Sequence, residues 1–144
     1  MKEKFYPFEA SDDYLSFWFE SCSSGCRIQK SVEFEEIGVD LYNLAFGDMD
    51  KKGQLNDMVV SNNGDMRKVL ATVVKTALAF FEMYPDRSIY FSGSSSSRNR
   101  LYRAILTRDI ENWSGIFEVQ GIMQGMPVQF SQNLDFEGFL IKRK

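Results

Sequence analysis

The chain has 144 residues, 44% of them apolar and 15% aromatic, with 13 Phe. That is the ordinary length of one domain, and the composition excludes a disordered chain. The formal charge is −3 and His is absent; no apolar run approaches the roughly 18 residues that span a bilayer.

The opening "MKEKFYPFEASDD" is charged and has no apolar signal-peptide segment, so a cytoplasmic protein is expected. "YLSFWFES" alternates as a strand does, with Leu15, Phe17 and Phe19 on one face and Tyr14 and Trp18 on the other. "CRIQKSVEFEEI" follows a turn and puts Ile28, Val32 and Phe34 on one face. Between these strands Cys22 and Cys26 flank "SSG", which reads as a three-residue hairpin loop with Gly25 in the left-handed conformation. The two cysteines are then expected opposite each other, close enough for a disulfide, though a cytosolic setting favours the reduced pair. With only two Cys and no His, a structural zinc site is excluded.

"VDLYNLAF" completes a predicted antiparallel meander. The next segment, "GDMDKKGQL", has Asp48, Asp50 and Gly53 at calcium-loop positions. Lys52 and Val59 stand where ligands are needed, so it reads as a solvated turn. The strongest predicted helix lies in "SNNGDMRKVLATVVKTALAFFEMYP". Asn63 or a neighbour is its cap, Asp65 suits its positive end, and Pro85 stops it. A short strand "RSIYFSG", a second helix "SSRNRLYRAILTRDI", and strands in "IFEVQGI", "MPVQFSQ" and "FEGFLIKRK" follow. The order βββ-α-β-α-ββ(β), without linker or repeat, predicts one α+β domain over residues 1–144: an antiparallel sheet covered by two helices.

Charge is unevenly distributed. From Arg87 to Arg108 there are five Arg and no acid; without that +5 the remainder carries −8. The basic stretch follows a strand, a Gly-Ser turn and a helix start. Unpaired N–H groups and the helix dipole favour an anion there. Ser94, Ser95, Ser96 and Ser97 add hydroxyls, and Arg98, Arg100 and Arg103 add charge. Arg100, Arg103 and Thr107 share one helix face; Leu101, Tyr102 and Ile105 are expected on the core-facing side. Arginine near a helix N-terminus has the wrong sign for the dipole. It is offset by a bound anion, or by internal pairing with Glu33, Glu35 or Glu36. The segment lacks the P-loop and nucleophile-elbow frames. Without His, acid–base chemistry would fall to carboxylates, Lys, Tyr or Arg.

"F-S-G-S-x-x-x-R-x-R-L-Y-R-A-I", Phe91 to Ile105, resembles the signature of a family of small uncharacterised bacterial proteins, familiar from Bacteroidota genomes as a domain of unknown function. "N-N-G-D-x-x-K-V-L-A-T-V", Asn62 to Val73, is similar to a helix start in phage-encoded proteins of unassigned role, with Asn63 where those have Thr. Neither resemblance brings an activity. It implies that Asn63-Gly64-Asp65 lies near Ser94–Arg103, with Asp65 as a partner of Arg98 or Arg100.

Three functions follow as expectations. The first is a non-enzymatic interaction protein of bacterial or mobile-element origin, without cofactor, using the Ser/Arg corner and the tail Lys142-Arg143-Lys144 toward a protein partner or a second copy. The second is nucleic-acid binding or RNA cleavage, with Arg98, Arg100, Arg103 and Arg108 on phosphates and Tyr102 or Trp113 stacking. The third is a small phosphate ligand at the Gly93–Ser97 turn.

Overall fold

The computed structural model describes residues 4–23, 25–49, 55–56, 65–93, 96–108, 114–131 and 134–144. Their strands are β1 (Phe8–Ala10), β2 (Ser16–Ser23), β3 (Cys26–Gly38), β4 (Leu41–Met49), β5 (Leu55–Asn56), β6 (Ser88–Phe91), β7 (Phe117–Met123), β8 (Met126–Gln129) and β9 (Gly138–Arg143). The helices are α1 (Met66–Met83), which precedes β6, and α2 (Ser96–Arg108), which follows it. Hydrogen-bonded neighbours run β1-β2-β3-β4-β6-β9-β7-β8, with β5 on β4. The sheet is mostly antiparallel; β4 and β6, separated in sequence by α1, pair in parallel. This is the α+β fold that the order of periodic segments predicts, with the short strands β1 and β5 added.

The chain divides into two compact units. One comprises Lys2–Glu35 and Ala45–Pro85; the other comprises Glu36–Leu44 and Asp86–Lys144. We call them the α1 unit and the α2 unit.

In the α1 unit the two-residue period of the strands decides the inner face. Phe17, Phe19, Val32 and Phe34 are buried, and the Phe34 ring stacks on Phe80 of α1 with centroids 4.4 Å apart. Val69, Val73, Ala77 and Phe80 recur at helical spacing on the buried side of α1. The helix ends at Met83, just before Pro85, and the Tyr84 N–H donates to the Phe80 carbonyl at 2.8 Å. Asp65 is its N-cap residue by position, but its side chain makes no capping bond.

The β2–β3 register corrects the cysteine expectation. Gly25 is left-handed (φ 79°) as predicted, but Ser23 pairs with Cys26 and Cys22 with Arg27. The turn is one residue tighter, so the cysteines are not opposite each other; Cys22 is an exposed free thiol.

Lys30 shares the inward parity of β3 with Val32. It is 1% exposed, and its ammonium lies 2.6 Å from Asp48 Oδ1 on β4. The first acid of the calcium-like pattern therefore serves an internal ion pair. Asp50, Lys52, Gly53 and Val59 lie outside the described residues, as do Asn62, Asn63 and Gly64.

In the α2 unit the core is aromatic. Phe91 packs against Tyr102 of α2 and Phe139 of β9, and Phe136 against Phe130 and Phe139. Gly121 on β7 is the seat of Phe136: a Cβ there would stand 2.2 Å from the ring. Asp40 takes a left-handed φ of 54° in the β3–β4 turn, a conformation Asp tolerates. Its carbonyl accepts from the Ser88 N–H at 2.8 Å, and its carboxylate pairs with Arg87. Among the described residues no helix is long and apolar enough to cross a membrane.

Candidate functional site

The serine–arginine corner lies in the α2 unit, where Ser96 opens the helix and is exposed. Ser94, Ser95 and the Ser97 side chain lie outside the described residues. The preceding glycine is held tightly: the Gly93 N–H donates to Asn99 Oδ1 at 2.6 Å, and Asn99 Nδ2 donates to the Glu137 carbonyl at 2.9 Å. A Cβ on Gly93 would lie 2.6 Å from Cβ of Arg98, so only glycine allows this approach. One amide expected to cradle an anion is therefore committed to a side chain of the same helix.

Asn99 also reorients α2. It is buried beside Tyr102, whereas Leu101 is 41% exposed and Ile105 half-buried. The expected core side of Leu101, Tyr102 and Ile105 is therefore turned toward Asn99. A polar side chain can hold an inward position when both amide groups find partners, as they do here.

The four arginines of α2 separate. Arg103 donates to the Leu134 carbonyl and, at 2.7 Å, to Asp135 Oδ1, so its neutralising acid comes from the segment before β9. Glu33, Glu35 and Glu36 are exposed and none is its partner. Arg98 is half-buried with its Nη1 atom inside. Arg100 and Arg108 are exposed, and with Ser96, Leu101 and Ala104 they form the outer face of the helix, which has no acid from Ser96 to Arg108.

Tyr102 is a core residue, 3% exposed. Burial pushes its hydroxyl pKa up, against a smaller downward pull from Arg98. It stays protonated at neutral pH and is not presented to a base or a phosphate. Trp113, the other stacking candidate, lies outside the described residues.

Asp65 has a different role from the one expected. In the α1 unit its carboxylate accepts hydrogen bonds from the Tyr6 hydroxyl and, at 2.6 Å, from Ser21 Oγ, in place of Arg98 or Arg100. The Tyr6 oxygen also accepts from the Cys22 N–H at 3.2 Å, and the Tyr6 N–H donates to Thr72 Oγ1 at 2.9 Å. Lys68 Nζ sits 4.1 Å from the Tyr6 ring centroid. Burial first, then Asp65, raises the Tyr6 pKa. The cluster thus anchors the N-terminal segment to β2 and to the start of α1. Nearby, the Cys22 thiol is pushed up chiefly by its hydrogen bond to Glu20, the reverse of what a reactive thiolate needs.

Sequence reasoning missed Tyr6, Ser21 and Asn99. Ser21 had a signal: it continues the inward parity of Phe17 and Phe19, where a polar residue needs a partner. Among the described residues, no three Cys, Asp or Glu side chains come together as metal ligands.

Compared with known families, residues 2–144 match one described as a family of unknown function. The chain belongs to DUF6934. The DUF6934 match spans both units, so the Asn99 clamp and the Tyr6–Asp65 anchor both fall within it. No curated protein and no solved structure matches the chain.

Proposed function

We propose that this DUF6934 chain is a non-enzymatic binding protein and that the outer face of α2 contacts an acidic surface of a protein partner. The observation that carries the reading is the exposure of Arg100 and Arg108 together with Leu101 and Ala104 on a helix with no acid from Ser96 to Arg108. Charge with intervening apolar area suits a folded protein surface better than a bare phosphate chain. The burial of Tyr102 removes one of the two aromatics on which single-stranded nucleic acid would stack. The commitment of the Gly93 amide to Asn99 weighs against a small phosphate at the Gly-Ser turn. A cytoplasmic setting and a bacterial or mobile-element origin belong to the same reading, through the resemblance of the Phe91–Ile105 motif.

The test is fluorescence anisotropy with a labelled acidic peptide and a labelled single-stranded RNA, comparing the natural chain with R100E/R108E. The peptide should bind at low salt, and the double variant should lose that binding. RNA binding with a log–log salt slope of about −1.4, as two phosphate contacts give, would transfer the face to nucleic acid. Equal binding by natural and variant chains would refute the assignment to α2.

A further inference from the structure

We infer that the partner is a second copy of this chain, whose α2 face docks on the outer surface of β1, β2 and β3 in the α1 unit; this rests on the reading of α2 given above. The inner face of those strands is filled by Phe17, Phe19, Val32 and Phe34 against α1. Alternation sends the intervening residues to the other side. There Glu9, Trp18 and Ser31 stand in one cross-strand row, and Glu33 pairs with Ser16 in the next. Trp18 is 37% exposed at the centre of this surface. Glu9, Glu33 and Glu35 are exposed, and their side chains make no hydrogen bond or ion pair with the described residues.

An exposed indole with Glu9 across the strand and Glu33 diagonal to it is complementary to guanidinium groups, while Glu20 on the same face is already held by Arg27 and Gln29. The carboxylates draw the charge, and the ring face takes a planar cation. The same chain supplies such groups, with Arg100 and Arg108 exposed beside Leu101 on a helix that has no acid from Ser96 to Arg108. Two different patches meet, so the contact either closes reciprocally between two copies or continues from copy to copy into rings or chains.

Sedimentation across a concentration series tests this. Mass should grow beyond the monomer at low salt and fall back when the Debye length shrinks to about 3 Å at 1 M salt. R100E/R108E and E33K/E35K should each weaken association by about tenfold or more. Mixed together, they should associate again, since each retains the half the other lacks and the two reversed halves are once more opposite in sign. Circular dichroism checks that both variants fold, and E33Q/E35Q gives a milder second test of the acidic side. A monomer at every concentration, or association indifferent to both charge reversals, overturns the inference. So does capture of an arginine-rich peptide by the Trp18 face without self-association. Loss of self-association with retained binding of the acidic peptide would remove the second copy and leave the reading of α2 standing.

Discussion

Replacing Lys30 by methionine exposes how the α1 unit holds charge inside its sheet. The Lys30 side chain is 1% exposed, that of Asp48 is 13% exposed, and the ions are 2.6 Å apart. At an effective dielectric of about 20 their gross attraction is about 6 kcal/mol. Desolvation costs several kcal/mol per ion, so the intact pair is worth little in net terms. Removing one member is different, because Asp48 then keeps the cost without the attraction. The expected loss for Lys30→Met is about 3–5 kcal/mol, at the lower end because Asp48 retains some contact with water. That is a large share of the roughly 5–15 kcal/mol that holds a domain together. Urea unfolding followed by far-UV circular dichroism measures it. The double variant K30M/D48L should return to within about 1 kcal/mol of the natural chain, since an apolar pair of similar volume can replace a buried ion pair. Moving from about 0.1 to 1 M salt should leave the single-variant loss nearly unchanged, because screening acts weakly on buried charge. A loss below about 1 kcal/mol for Lys30→Met, or a double variant weaker than the single, would refute the reasoning.

Gly121→Ala should destabilise by about 1–3 kcal/mol, as overpacking does, because its Cβ would enter the Phe136 ring space; combining it with Phe136→Leu should recover part of the loss in the same unfolding assay. Asn99→Ala should cost about 1–3 kcal/mol by stranding the Gly93 N–H and the Glu137 carbonyl, and hydrogen exchange at Gly93 should accelerate. Tyr6 and Tyr102 have folded pKa values raised above the ordinary 10.0. Their contribution is therefore fully present below pH about 10 and is lost as pH rises through the folded values. Alkaline unfolding should track their ionisation at the tyrosinate absorbance band, and Tyr6→Phe should shift that transition.

How far the molecule could be read from its letters depended on how local the cause was. Phe17 and Phe19, or Val32 and Phe34, alternate within a few residues, and α1 repeats its apolar positions over five turns; these elements emerged directly. β1 did not, because three residues of strand carry almost no period and Phe8–Ala10 exist as a strand through pairing with Phe17–Phe19. In the arginine corner the tight Gly-Ser turn and the helix were legible. The rotation of α2 was not, since it depends on Asn99 reaching Glu137, 38 residues away. Asp135, the acid for Arg103, is 32 residues away and was passed over for Glu33, Glu35 and Glu36, which are more distant in sequence. Asp65 was expected beside Arg98 or Arg100, whereas its partners, Tyr6 and Ser21, lie 59 and 44 residues upstream.

The division of the chain has a consequence for synthesis. Residues 36–44 belong with 86–144, while the residues between them complete the other unit. By the time Pro85 leaves the ribosome, every piece of the α1 unit exists, and it can fold at once. The end of β3 and the start of β4 must wait, their companions β6, β9 and α2 still untranslated. No single cut of the gene isolates either half. A fragment library scanned for soluble expression should therefore show a product ending near Pro85 that folds with a loose, unfinished strand pair, and no C-terminal product that folds without residues 36–44.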